Sequence, residues 1–228
     1  MIRQFAFDLS TDETYRSQDY FPSGSNATAY AQVMGRDWPG GRMLLIGPPG
    51  AGKSHLAHIW AETSGAQILA ARGFGVPDLT QPDGAVVVED AEALAGNPGA
   101  EEALFHLWNR ANLHHPLLIT ASGPPRDWGI ALPDLLSRIQ SLALAQLDPP
   151  DDALLAAVLV KLFADCQVHV QPNLIAFLVS RMERSVAVAR QIVAALDAQA
   201  LAEGKPITRA MAATLMGAAG DLDMGPDE

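Results

Sequence analysis

The run Gly47-Pro48-Pro49-Gly50-Ala51-Gly52-Lys53-Ser54 joins three glycines to a lysine and a hydroxyl, with His55 next. Glycines at 50 and 52 let backbone N–H groups come close to an anion. Lys53 adds a point charge suited to the β and γ phosphates of a nucleotide, and Ser54 adds a hydroxyl that can ligate Mg²⁺. A turn that needed glycine only for its shape would not require Lys-Ser directly after it. Such a site also needs an acidic group for the metal and the attacking water. Ala85-Val86-Val87-Val88 reads as a buried strand that runs into Glu89-Asp90, the natural candidates. An ordinary acidic strand end is the alternative. With the longer side chain first, carboxylate reach changes by one methylene at each position. Metal binding by Ser54 and Glu89 is expected to survive this better than water activation, and turnover by the chain alone is expected to be weak.

The elements around these residues fit that chemistry. Met43–Ile46 is a strand candidate and 53–60 a helix, which is the strand–turn–helix setting that a phosphate loop requires. Further strands are expected at Gln67–Ala70, Ala85–Val88, Leu117–Thr120 and Ser141–Ala145, separated by helical or turn-rich segments. That alternation predicts an α/β domain with a parallel sheet covered on both faces. Residues 1–25 read as a lead-in and 26–147 as the α/β domain, opening on a short helix over 26–34. Residues 148–217 read as a small all-α domain with helices near 152–164, 172–183, 186–202 and 208–216. Pro172 suits a first turn there, and Ser185 and Thr208 suit N-caps. The acidic tail 218–228 has too little apolar content to pack.

Lysine plus arginine number 15 against 26 aspartates plus glutamates, a formal charge of −11, which disfavours a broad grip on a nucleic-acid backbone. The single cysteine, Cys166, cannot form an internal disulfide and reads as buried. The N-terminus lacks a secretory signal, and no apolar run approaches the ~20 residues of a membrane helix. A cytoplasmic protein with no membrane contact is expected. His55, His58, His106, His114, His115 and His169 show no ligand spacing and read as helix surface.

Taken in order, these segments resemble the AAA+ ATPases of the DnaA/Hda family, closest to the Hda-type regulators. The resemblance runs over about residues 4–217. Gly47–Leu56 is similar to the family's phosphate loop, and Glu89-Asp90-Ala91-Glu92 with the helix over 103–110 to its Walker B strand and the helix after it. Residues 118–125 resemble the sensor 1 strand, although Ser122 stands where an acidic sensor is usual. Residues 132–138 resemble the arginine-finger segment and 188–196 the sensor 2 helix. The resemblance therefore implies a P-loop AAA+ parallel-sheet domain followed by a small all-α lid domain, binding ADP or ATP with Mg. It implies Arg138 as a finger and Arg190 as a phosphate contact; a surface arginine and a snorkelling one are the plain alternatives. Tyr20 and Phe21 resemble an adenine-flanking aromatic pair, against which stands simple packing beneath the lead-in.

Two contrasts with the initiator DnaA, and one gain, direct the functional expectation. Beyond the lid lie only about a dozen residues with no helix-turn-helix, so direct sequence-specific DNA binding is not expected. Ala71–Gly84 spans 14 residues with two prolines and three glycines, too little for the helix pair by which the initiator holds single strands. Gln4, Phe5, Phe7 and Leu9 resemble the short peptide that docks on the sliding clamp, with an amphipathic first strand as the alternative. The resulting expectation is a nucleotide-bound regulator that docks on the DNA polymerase sliding clamp and stimulates ATP hydrolysis by the replication initiator DnaA. An independent ATPase of helicase-loader type and a nucleotide-gated adaptor without catalysis are the alternatives. A homo-oligomer is a further alternative for its assembly.

Overall fold

The computed structural model describes residues 15–35, 37–72 and 84–221. Gln4, Phe5, Phe7 and Leu9 lie outside the described residues, as does most of the 71–84 segment. Five strands among the described residues form one parallel sheet: β1 (Arg42–Ile46), β2 (Gln67–Ala70), β3 (Val86–Glu89), β4 (Leu117–Ala121) and β5 (Ala143–Gln146). Their spatial order is β2-β3-β4-β1-β5. The first strand is thus inserted between the fourth and the fifth, and ligands of open α/β sheets bind beyond the carboxyl ends of strands at such a reversal.

Side chains alternate across a strand, and that alternation divides the core in two. Leu44, Val86, Val88, Leu117 and Ile119 pack against Leu104 and Leu107 of α3 (Pro98–Arg110) and Leu135 and Ile139 of α4 (Pro133–Gln140). Met43, Leu45, Val87 and Leu118 face the other way, against Ala29 and Val33 of α1 (Ala27–Met34) and Leu56, Ala57 and Trp60 of α2 (Lys53–Ser64). Because both faces are covered, β1, β3 and β4 read as continuous apolar runs.

A third core belongs to the lid helices α5 (Asp152–Asp165), α6 (Pro172–Val179), α7 (Val186–Glu203) and α8 (Arg209–Asp221). Capping sets their starts. The Asp151 carboxylate accepts from Leu154 N at 2.8 Å, the Ser185 hydroxyl from Val188 N at 3.4 Å, and the Thr208 hydroxyl from Met211 N at 3.2 Å. Pro172 occupies the first turn of α6.

Some boundaries moved for local reasons. The strand expected from Ser141 begins at Ala143, because Ser141 N and Leu142 N donate to Arg138 O and Ile139 O and close the end of α4. Helix α6 stops at Val179, where Met182 N turns back to Leu178 O at 2.9 Å. Helix α8 runs to Asp221, beyond the expected stop at 216. Cys166, expected to be buried, is exposed at the C-terminal end of α5. Its small apolar side chain suits a core, but the helix end turns it outward. Of the histidines, His114, His115 and His169 sit in loops and not on helices.

Candidate nucleotide site

Residues 47–52 leave the end of β1 as a turn, and α2 begins at Lys53. The turn is tied to its surroundings: Gly47 N donates to Ala121 O at 3.3 Å and Ala51 N to Pro48 O at 3.2 Å. Gly50 and Gly52 have φ of 73° and 98°, the left-handed region where a β-carbon is costly. At Gly50 space matters as well, since a Cβ there would lie 2.0 Å from the Ser185 hydroxyl. Lys53 is only 7% exposed, and its ammonium donates to Gly47 O at 2.8 Å and Pro48 O at 3.2 Å. Burial lowers its pKa, opposed by the negative charges of Asp90, Glu92 and Glu89.

A cleft of about 370 Å³ opens above this turn. It brings together Pro49, Gly50, Ala51, Gly52, Lys53, Ser54 and His55 with Tyr20, Phe21, Asp90, Ser122 and Arg190. The lid closes one side directly, for Val186 N donates to Gly50 O at 2.9 Å, which seats the start of α7 on the phosphate loop. Arg190 follows one turn later, its guanidinium 5.9 Å from the Tyr15 ring. Tyr20 stacks on Tyr30 at 5.0 Å and meets His55 edge-on at 5.4 Å. Burial, and then the neighbouring Tyr30, push the Tyr20 phenol pKa well above its usual value. His55 donates Nε2–H to Arg16 O at 2.9 Å, and burial holds its pKa low. A wider groove of about 680 Å³ between α5 and α6 is apolar, with Asp152 and His169 its only titratable lining and no phosphate loop nearby.

The acidic pair separates. Asp90 lies just past β3 with φ of 52°, its N–H donated to the Thr120 hydroxyl at 3.1 Å, and it lines the cleft. Glu89 ends β3 and does not line it; its Oε2 stands 3.7 Å from His58 Nε2 on α2. Glu89 Oε1 is buried with no hydrogen-bond partner among the described residues, and so is Glu92 Oε2. Glu92 Oε1 accepts from Ser122 N at 2.9 Å, so that this residue reaches the cleft edge through a glutamate. From sequence, His58 reads only as helix surface and Glu92 only as part of the Walker B resemblance, and Thr120 is given no role. Only Thr120 carries a signal there, as a lone polar residue in an apolar strand.

Gly47 and Pro48 form the floor of the turn without lining the cleft, and Arg138 stands apart from it on α4. The Arg138 guanidinium lies over Phe105 and Trp108 of α3 at 4.7 and 4.4 Å and donates to Asn109 Oδ1 at 3.0 Å.

No family model matches the chain. Solved structures share its fold. Domain III of the Thermotoga maritima replication initiation protein DnaA aligns with a TM-score of 0.75 at 17% identity, over 90% of this chain and 96% of that one. AMPPCP-bound DnaA from Aquifex aeolicus gives 0.65 at 15% identity, over 81% of this chain and 65% of that one. The Thermotoga maritima RuvB Holliday junction branch migration motor gives 0.62 at 18%, over 78% and 61%. The chain thus spans less than two thirds of the length of the last two. At these identities the likeness is one of architecture: a parallel five-stranded sheet with its phosphate-type loop beyond β1 and a helical lid, which is the AAA+ fold.

Proposed function

We propose that this chain is a nucleotide-binding AAA+ regulator of replication initiation, of the Hda type. In this reading it docks on the sliding clamp through Gln4, Phe5, Phe7 and Leu9. It then stimulates ATP hydrolysis by the initiator DnaA by lending Arg138 to the initiator's nucleotide. Gly47–Ser54 would cradle the phosphates of ADP or ATP, with Lys53 near the β and γ groups. Tyr20, Phe21 and His55 would border the base end, and Arg190 would join the lid to the phosphates. Mg²⁺ takes few protein ligands and shares phosphate oxygens and water, and no cluster of three ligating side chains exists among the described residues. Ser54 lines the cleft and suits such a site; of the two carboxylates, Glu89 is the ligand expected from sequence whereas Asp90 is the one that lines the cleft, and the ion would neutralise phosphate charge there.

The observation that carries the regulator reading is Arg138. It does not line the cleft of its own chain, and among the described residues no carboxylate neutralises it. A finger acting across an interface stabilises transition-state charge and contributes little else. Arg138→Ala is therefore expected to keep ADP affinity and clamp binding and to lose stimulation of initiator hydrolysis by at least about a thousandfold. Hydrolysis assays with DnaA and DNA-loaded clamp test this, and wild-type stimulation by the variant would reject the finger.

A second reading, an independent ATPase, draws support from Asp90, whose carboxylate lines the cleft together with Lys53. Turnover by the isolated protein, lost on Asp90→Asn, would favour it.

A further inference from the structure

Two guanidiniums share one indole. Arg42, at the start of β1, lies 4.1 Å from the Trp108 ring centroid, and Arg138 lies 4.4 Å from the same centroid. Arg42 also donates Nε–H to Trp108 O at 2.9 Å and an Nη–H to Ala111 O, which ties the end of α3 to the N-terminal end of β1. The Trp108 indole N–H has no acceptor among the described residues. Its aromatic face, not its polar edge, is what its neighbours use. Neither arginine has a carboxylate partner among the described residues: Arg42 is offset by the indole and two backbone carbonyls, Arg138 by two aromatic rings and the Asn109 amide oxygen. Burial lowers the Arg42 pKa and the Arg138 charge lowers it further.

Both groups are partly solvated, so their mutual repulsion is screened and modest, and a polyanion arriving at this face would meet two cations with no carboxylate among the described residues to displace. A free arginine on a helix surface samples many rotamers, and holding it ready cuts what must be lost on binding. Phe105, Trp108 and Asn109 stand three and four residues apart on one face of α3 and grip Arg138 from that face.

We propose that Trp108 and Arg42 are positioning residues for Arg138: the indole fixes the guanidinium's height above α3, and Arg42 locks the indole to the sheet. Together they present Arg138 to the polyphosphate of a nucleoside triphosphate held by the partner protein. This rests on the trans role of Arg138 proposed above.

The test uses full-length chain, DnaA and clamp loaded on DNA, with stimulated hydrolysis followed against concentration of this protein. Trp108→Leu keeps apolar bulk and removes the indole face. It is expected to lower the maximal stimulated rate by about 10- to 100-fold, the range that a misplacement of roughly 1 Å costs a reacting group, with half-saturation unchanged. Trp108→Phe, which restores an aromatic face, is expected to stay within about threefold of wild type. Arg42→Gln, which leaves the indole in place, is expected to lower the maximal rate in the same sense and carries the test if Trp108→Leu does not fold. The split between maximal rate and half-saturation is the readout that a merely structural role would not give, and NMR on the isolated protein checks its cause: the Arg138 Nε–H resonance should lose the indole's part of its ring-current shift, keep that of Phe105, and gain mobility in Trp108→Leu. Wild-type maximal rates in Trp108→Leu and Arg42→Gln, with Arg138→Ala inactive, would overturn this proposal and leave the finger standing. An active Arg138→Ala would overturn both.

Discussion

Lys53 is a buried cation whose hydrogen bonds go to its own loop carbonyls, with three carboxylates contributing to its electrostatics. A nucleotide phosphate would add a stronger counter-charge. Lys53→Ala is expected to weaken ADP binding at least about tenfold, the equivalent of a charge-assisted hydrogen bond. The rise in Tm that excess ADP and Mg²⁺ produce in wild type should shrink accordingly, since a ligand that binds only the folded state stabilises it by mass action. Titration calorimetry with paired melting curves measures both, and an unchanged ADP affinity would remove Lys53 from the site. Glu101 poses a different problem. It is 1% exposed, yet it accepts from Gly96 N at 2.8 Å, Ala131 N at 3.0 Å and Leu132 N at 2.8 Å. Burial pushes its pKa up, but the three N–H groups together outweigh that and hold it below the usual carboxylate value. A carboxyl with a depressed folded pKa contributes stability above its unfolded value near ~4.3, and loses it as pH falls through the folded value. Glu101→Gln is therefore expected to cost about 2 kcal/mol at pH 7, with the gap to wild type closing in acid. Urea melts at pH 7 and at successively lower pH will show whether the two curves converge.

The phosphate loop and α7 form a single mechanical unit. Val186 N is bonded to Gly50 O, and the Ser185 hydroxyl sits where a β-carbon of residue 50 would go. Ser185 also caps α7, so the same residue starts the lid helix and shapes the turn beneath it. Gly50→Ala would both force a β-carbon into the left-handed region and drive it into that hydroxyl. A loss of about 2–4 kcal/mol is expected, strain and overpacking each contributing. The double variant Gly50→Ala/Ser185→Gly should recover the steric part and leave the backbone part. If thermal unfolding gave the double variant no more stability than the single one, the close approach would not be the cause. The same contact explains how a shift in the lid would reach the nucleotide: α7 carries Arg190 and cannot swing without pulling on Gly50.

Across the whole chain the surface is acidic and the described helices include none long and apolar enough to cross a membrane. Under the proposed function, partners are met through discrete features and not a broad electrostatic field. The N-terminal residues carry the clamp proposal, and hot-spot anchors dominate interfaces of that kind. Deleting residues 1–9, or changing Phe7 and Leu9 to Ala, is expected to abolish clamp binding while moving Tm by no more than about 2 °C, the shift of roughly half a kcal/mol. Pull-downs with purified clamp and melting of the same sample decide it. Wild-type clamp affinity after the deletion would reject the docking peptide, and a large drop in Tm would favour the amphipathic strand.

The residues that lie next to one another in sequence declared their arrangement. Gly50, Gly52, Lys53 and Ser54 specify a turn into a helix through backbone freedom and charge alone. The apolar runs of β1, β3 and β4 announced strands covered on both faces because each is short and unbroken, and Ser185 and Thr208 acted as the caps their side chains suit. Relations between distant residues were another matter. That Asp90 and not Glu89 faces the cleft depends on a left-handed turn after β3 and on the Thr120 hydroxyl, which strand pairing delivers from another part of the chain. That Arg138 meets Trp108, and Trp108 meets Arg42, depends on α4 crossing α3 beside the edge of β1. Local propensity and periodicity are written in neighbouring residues, whereas the direction of a buried carboxylate or a guanidinium is set by packing across the sheet, and only the tertiary structure contains that.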